Sequence, residues 1–75
     1  MRNRREGILV YDTANNGYDI RFDLEEYYGG LYCGSCFEVR VKGQWIPVRM
    51  ELDLPERWYL VGLPHIELNG LQVRI

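Results

Sequence analysis

The chain has 75 residues, of which 47% are hydrophobic and 13% aromatic, and its formal net charge at pH 7 is −2. This length corresponds to one domain with a small core, and this apolar content argues against a disordered chain. The sequence isoelectric point of about 5.3 argues against a protein that coats DNA, because such proteins are strongly basic.

The sequence predicts neither a membrane-spanning helix nor a secretory signal. The sequence has no apolar run of the ~18–20 residues that a membrane-spanning helix needs. Residues 1–5 are basic, but Glu6 and Gly7 follow them without a long apolar region, so we expect no secretory signal. The expected location is therefore the cytoplasm, without membrane association.

The N-terminal third predicts a basic tail and a first hairpin. Residues 1–6 form the predicted flexible tail, and residues 7–75 form a single domain. Strands are expected at residues 7–12 and 18–22, around an Asn-Asn-Gly turn signal. A three-residue loop with Gly17 in the left-handed conformation would put Ile8 and Val10 on the core face, and we prefer it. A two-residue loop, which would put Leu9 and Tyr11 there, stays open.

Residues 23–28, DLEEYY, predict a single helical turn. Asp23 is a suitable N-cap, and acidic residues in the first turn favour the helix dipole. Gly29 and Gly30 would end the turn. This is also the most acidic part of the chain, and Tyr27 and Tyr28 stand beside the acids.

Residues 33–52 predict a long β-hairpin around which the rest of the chain is arranged. Apolar residues alternate with polar ones on both sides of Lys42-Gly43, as in half-buried strands. They are Phe37, Val39, Val41, Ile46, Val48, Met50 and Leu52. A two-residue loop at Lys42-Gly43 places them on one face, whereas a loop one residue longer would not. The same register puts Arg40 opposite Trp45 on the outer face, where a cation–π pair either stiffens the hairpin, which we prefer, or makes Trp45 a recognition anchor.

The C-terminal part predicts two further strands. Residues 53–56 form a turn, and the apolar run at 58–63 suits a strand that is covered on both sides or closes a barrel. Residues 71–75 alternate cleanly and form the last strand. The predicted fold is therefore all-β: a small, partly open barrel of five to six strands with one short helical turn near residues 23–28.

Several segments resemble those of Src-homology-three-like small barrels. LYCGSCFEV is similar to the diverging turn of that class, WYLV to its fourth strand, and NGLQVRI to its closing strand. The pattern GILVYD, YDIRF, LYCGSCFEV, GQW, WYLVGL and GLQVRI also resembles a family of short bacterial proteins, mostly from Gram-positive genomes and mobile elements, known only as a domain of unknown function. Proline-binding barrels use aromatic residues with an acidic loop. The resemblance implies that Tyr27, Tyr28 and Trp45 could act as such aromatic residues and that the acids of residues 19–26 could act as the acidic loop.

The segment Cys33-Gly34-Ser35-Cys36 is the one motif with a chemical meaning. A structural zinc site needs four ligands, and only His65, a carboxylate or a second subunit could supply the rest. The helical context of a redox CxxC is missing. Buried thiols at a turn are therefore the preferred interpretation, with metal binding at Cys33 and Cys36 a weak alternative. Catalysis would need His65 beside a cysteine, so we expect no enzyme and no cofactor.

These observations favour a non-enzymatic protein–protein interaction module. Its binding residues would be Tyr27, Tyr28, Trp45 and Arg40, and its unknown partner would offer basic or apolar anchors. A homodimer through the open edge of the barrel is also compatible with so small a core. The alternative, which the net charge disfavours, is a nucleic-acid-binding barrel. Its surface would consist of Arg40, Lys42, Arg49 and Trp45.

Overall fold

A computed structural model describes residues 4–75, which form one antiparallel sheet of seven strands. The strands are β1 (Glu6–Asp12), β2 (Gly17–Asp23), β3 (Glu26–Tyr27), β4 (Cys36–Val41), β5 (Gln44–Asp53), β6 (Arg57–Val61) and β7 (Gln72–Arg74). Their order across the sheet is β3-β2-β1-β7-β4-β5-β6. The all-β class is confirmed. Residues 4–75 contain no helix that is long and apolar enough to cross a membrane.

The sheet is open, with β3 and β6 as its two edges. It has seven strands, so the predicted strand number of five to six is wrong. Hydrogen bonds outside the strand pairs join the half of the sheet that contains β1 to β3 with the half that contains β4 to β6. The Trp58 indole on β6 donates to the Asn16 carbonyl at 3.1 Å. The segment after β3 bonds to both halves, from Leu31 N to the Tyr18 carbonyl and from Gly34 N to the Met50 carbonyl, each at 2.8 Å. The Src-homology-three-like form stays a prediction.

The central hairpin has the predicted register. Val39 pairs with Ile46, and Arg40 pairs with Trp45 across a two-residue loop. Lys42 and Gly43 both have positive φ, 49° and 78°, which is the conformation of a type I′ turn. Leu52 departs from the prediction because β5 extends beyond β4 and leaves this side chain 38% exposed.

The first hairpin differs from the preferred prediction. Its loop has four residues, because Asp12 pairs with Gly17 and the left-handed residue is Asn16, with φ of 52°. The Asp12 carboxylate stabilises this longer loop by accepting hydrogen bonds from the backbone N of Ala14 and from the side-chain Nδ2 of Asn15. Leu9 and its neighbour Ile20 therefore face the core and are fully buried, whereas Ile8 is 41% exposed.

The helical turn predicted at residues 23–28 is wrong. Leu24 and Glu25 form a turn, and β3 then folds back along β2 with a register shift. The Arg21 guanidinium donates to the carbonyls of Asp23 and Leu24, which would otherwise accept helical hydrogen bonds. Tyr28 N bonds to the Ile20 carbonyl and continues the β pairing.

The core lies on one face of the curled sheet. Its buried residues are Leu9, Ile20, Leu31, Phe37, Val39, Val48, Met50, Leu60, Leu68 and Val73. The last strand is confirmed, and it lies between β1 and β4 with Val73 fully buried. Of the two interpretations of residues 58–63, burial on both sides is wrong, because β6 is an edge strand that buries Leu60 and leaves Val61 37% exposed. Closure of a barrel is not observed either, because β6 pairs with β5 alone among the strands of residues 4–75.

The first six residues were predicted to be a flexible tail. Residues 1–3 lie outside the described part of the chain. Arg5 exchanges two backbone hydrogen bonds with Ile75, of 2.8 and 2.9 Å, and β1 begins at Glu6. Arg4 forms an ion pair with Glu38. Residues 4–6 of the predicted tail therefore contact or belong to the sheet.

Candidate functional site

The predicted binding residues fall on two separate surfaces. Tyr27 ends β3 and Tyr28 follows it, whereas Arg40 lies on β4 and Trp45 on β5. Four strands separate β3 from β5 in the order of the sheet. The structure therefore brings Arg40 and Trp45 together, and it does not bring the two tyrosines to them.

The first surface is an acidic tyrosine patch at the β3 edge. It consists of Asp23, Leu24, Glu25, Glu26, Tyr27, Tyr28 and Tyr32. Its large side chains are unusually accessible, with exposed fractions of 77% for Leu24, 71% for Tyr32 and about half for Tyr27 and Tyr28. The Tyr32 ring folds back beside Gly30. Exposed apolar area rimmed by charge is typical of interaction sites.

A buried carboxylate, Asp19, holds the chain segment that carries this patch. Its Oδ1 accepts hydrogen bonds from Gly29 N at 3.0 Å and from Gly30 N at 2.8 Å. Both glycines have left-handed φ values, 116° and 108°, so the bend after Tyr28 needs them. The sequence prediction grouped Asp19 with the exposed acids. The alternation of β2 puts Asp19 on the same face as Arg21 and Asp23, opposite Ile20, so the sequence pattern did not indicate that it is buried.

The second surface is an arginine–tryptophan face on the outer side of β4, β5 and β7. It consists of Arg4, Arg40, Arg49, Arg74 and Trp45. The guanidinium carbons of Arg40 and Arg74 lie 5.2 and 4.5 Å from the centre of the Trp45 ring. Sequence reasoning missed Arg74, because only the placement of β7 beside β4 brings it near Trp45.

Glu38 is the central carboxylate of this face. Its Oε1 accepts from Arg74 Nε at 2.5 Å and also from Arg4. The hydrogen bond from Arg74 is the main cause of a lowered Glu38 pKa, and the bond from Arg4 adds to it. Glu38 therefore stays ionised and fixes two guanidinium groups on the sheet. A groove of about 600 Å³ runs beside it, between these charges and the apolar side chains of Pro47 and Val61.

The cysteines lie at the predicted turn before β4, but they are not buried. Cys33 and Cys36 are both free and exposed, so the interpretation as buried thiols is wrong. Two backbone hydrogen bonds hold this turn at the margin of the sheet: Gly34 N donates to the Met50 carbonyl, and Met50 N donates to the Ser35 carbonyl. Cys36 lines the groove of the arginine–tryptophan face, whereas His65 lines a different cavity. Within residues 4–75, no three His, Cys, Asp or Glu side chains are grouped as metal ligands.

The cavity beside His65 has a volume of about 400 Å³ and lies between β6 and the start of β2. Tyr18 and Glu67 also line it, with Trp58 on the β6 side. Burial raises the pKa of Tyr18, and the nearby Tyr11 and Glu67 raise it further. This cavity thus holds a phenol that resists ionisation.

The raised Tyr18 pKa predicts a loss of stability in alkali. The neutral phenol is favoured in the folded state, so its contribution is complete below the unfolded pKa of about 10 and falls as the pH rises above it. Urea unfolding at about pH 8 and about pH 11 should show a smaller loss for Tyr18→Phe than for the unchanged protein. Equal losses in the two proteins would contradict this assignment.

Comparisons with known proteins place this geometry in a family. A solved crystal structure of a protein from Ruminococcus gnavus superposes with a TM-score of 0.88 and is 59% identical in sequence, covering 95% of this chain and 100% of that one. None of the curated proteins matches the chain. The family model described as "Domain of unknown function (DUF5348)" matches residues 7–75. The chain therefore belongs to the DUF5348 family.

Proposed function

We propose that this domain is a non-enzymatic protein–protein interaction module that binds its partner through the acidic tyrosine patch. One observation carries the proposal. Of the nine exposed large hydrophobic side chains in residues 4–75, four lie in this patch. They are Leu24, Tyr27, Tyr28 and Tyr32. Tyrosine is enriched at interfaces because its ring buries a large area while its hydroxyl keeps a polar partner.

The charge of the patch indicates the chemistry of the partner. Asp23, Glu25 and Glu26 surround the aromatic residues and are all exposed. Of these, Glu26 pairs with Arg5 at 2.7 Å, in a half-exposed ion pair that a partner can replace at little cost. A partner segment with lysine or arginine beside an aliphatic or aromatic anchor fits this surface. The charges would guide its approach, and the tyrosines would supply the buried area.

Two arrangements support a binding role over catalysis. His65 and Cys36 line different cavities, so the nucleophile and base that cysteine chemistry needs are not paired. The patch itself offers phenols and solvated carboxylates, and within residues 4–75 no hydrogen bond joins two of them. These arrangements favour a surface that binds over one that activates a bond.

Selection from a library of displayed random peptides tests the proposal. We expect the domain to enrich peptides that combine lysine or arginine with an apolar anchor. The variant Tyr27→Ser/Tyr28→Ser should weaken binding of the enriched peptides by roughly 10-fold or more, as expected for the loss of about 1.4 kcal/mol or more at an interface centre. Affinity is measured by isothermal titration.

A matched control separates loss of the patch from a general loss of apolar surface. Leu54 is 84% exposed in the turn between β5 and β6, at the other edge of the sheet, and Leu54→Ser should leave peptide affinity unchanged. Both variants should keep the circular dichroism of the unchanged domain. Enrichment of acidic peptides, or equal losses in the two variants, would overturn the proposal. Self-association through the patch would appear as a concentration-dependent mass in light scattering and would identify the partner as a second copy.

A further inference from the structure

The arginine–tryptophan face differs in charge and composition from the patch described above, and the proposed function does not use it. We propose that this face binds the sugar–phosphate backbone of single-stranded nucleic acid, with Trp45 and its stacked guanidinium groups receiving a base. The proposal is independent of the acidic tyrosine patch, because the two surfaces lie on different strands.

Positive charge is concentrated on this face although the whole chain is acidic. Five cationic side chains lie on it or at its turn: Arg4, Arg40, Lys42, Arg49 and Arg74. The carboxylates on the face and its border with β1 are four: Glu6, Glu38, Glu51 and, at the far end of β5, Asp53, which pairs with Arg57 on β6. The remaining acids lie elsewhere, so the overall charge of −2 does not describe the field at this face.

The ion pairs leave hydrogen-bond donors for phosphate. Arg74 contacts Glu38 through Nε, and Arg49 contacts Glu51 through Nε at 2.7 Å. Each guanidinium has five N–H donors, so the terminal nitrogens of both arginines stay free to donate to an anion. Arg40 and Lys42 have no carboxylate within ion-pair distance in residues 4–75.

The aromatic residue distinguishes a nucleic acid from an acidic peptide. Arg40 and Arg74 lie over the half-buried Trp45 ring, so planar groups with positive charge stand together on a rigid strand. Bases stack on indole rings and on guanidinium planes, whereas an aspartate or glutamate side chain pairs only with the edge of a guanidinium group and gains nothing from the indole ring. The cationic side chains are spread over neighbouring strands, which lie about 4.8 Å apart, and they do not surround one point at which a single carboxylate would bind. The groove of about 600 Å³, which Arg4, Arg49 and Arg74 line, leaves room for a backbone.

Fluorescence anisotropy with labelled oligothymidylate of about 15 nucleotides tests the proposal. We expect binding that weakens steeply with salt, because each neutralised phosphate contributes about −0.7 to the slope of log K against log salt concentration for a single strand. The variant Arg40→Gln/Lys42→Gln breaks no ion pair and should reduce this slope by about 1.4. The control Arg21→Gln/Arg57→Gln removes the same two charges elsewhere and should keep the slope.

Three experimental results would contradict the proposal. Absence of binding at low salt would overturn it, and so would equal losses in the two double variants, since that result would reflect net charge alone. Unlabelled oligothymidylate should displace the probe far better than polyglutamate of equal charge. Equal displacement by polyglutamate would make the face a site for acidic peptides and would refute nucleic-acid recognition. The peptide affinity of the acidic tyrosine patch should not change in Arg40→Gln/Lys42→Gln.

Discussion

Gly7→Ala is expected to cost this domain about 3 kcal/mol of its unfolding free energy, the upper part of the usual range for overpacking. A Cβ at this position would lie 2.6 Å from the Arg21 carbonyl oxygen and 2.7 Å from the Ile20 side chain. Carbonyl oxygen is part of the backbone, so β1 and β2 would have to separate to admit the methyl group. Gly7 also pairs with Val73 at the centre of the sheet, so the shift would spread to β7.

Thermal unfolding measures this effect. A loss of about 3 kcal/mol lowers the Tm of a domain of this size by roughly 12–24 °C. Such a loss is a large part of the total stability that a chain of this length usually has, about 4–11 kcal/mol. The variant is therefore expected to be partly unfolded at physiological temperature.

Gly17→Ala is the matched control. Gly17 also lies in a strand of the first hairpin, but a Cβ added there would have its nearest neighbours 3.7 and 3.8 Å away, which is ordinary contact. Its φ is not left-handed, so alanine is not strained there. The control should change the Tm by only a few degrees. A change in Tm of only a few degrees for Gly7→Ala as well would show that the sheet tolerates a separation of β1 from β2.

Asp19→Ala is expected to cost about 2–4 kcal/mol, because it leaves backbone N–H groups without their acceptor. The carboxylate oxygen accepts three hydrogen bonds, from Ile20, Gly29 and Gly30, at 2.8, 3.0 and 2.8 Å. Water can reach part of this site, since Gly29 is exposed, and this keeps the expected cost below the sum of three buried bonds. The bend that carries Tyr28 and Tyr32 should loosen as a result.

Two further variants separate the hydrogen bonds from the charge. Asp19→Asn keeps a side-chain oxygen and should lose less than half as much stability as the alanine variant. Asp23→Ala removes an exposed aspartate whose side chain accepts, within residues 4–75, from Leu24 N alone, and it should cost about 0.5–1 kcal/mol. Amide hydrogen exchange at Gly29 and Gly30 should accelerate in Asp19→Ala alone. Unchanged exchange there would mean that Asp19 does not hold the bend.

The central hairpin could be predicted from sequence because its pattern has one solution. Phe37 and Val48 share a face only if the loop has two residues, and that register is the one observed. The first hairpin had no such constraint, since apolar residues occupy both faces of its first strand from Ile8 to Tyr11. Hydrogen bonds that the Asp12 carboxylate accepts decided its loop, and a propensity argument does not include them.

The candidate surfaces were predictable only in part, because they depend on which strands become neighbours. The Arg40–Trp45 pair follows from the register of one hairpin, and it is observed. The contact of Arg74 with both Glu38 and Trp45 requires β7 to lie between β1 and β4, which the sequence pattern does not specify. Tyr27 and Trp45 were grouped as aromatic residues near acids, and the strand order separates them.

The central claim is that the domain has two independent binding surfaces of opposite charge. The most direct test measures both activities, peptide binding and oligothymidylate binding, in Tyr27→Ser/Tyr28→Ser and in Arg40→Gln/Lys42→Gln. The account predicts that the tyrosine variant loses peptide affinity and keeps the oligonucleotide, and that the arginine variant does the reverse. Loss of both activities in either variant, with the fold intact, would show a single shared surface and would contradict the account.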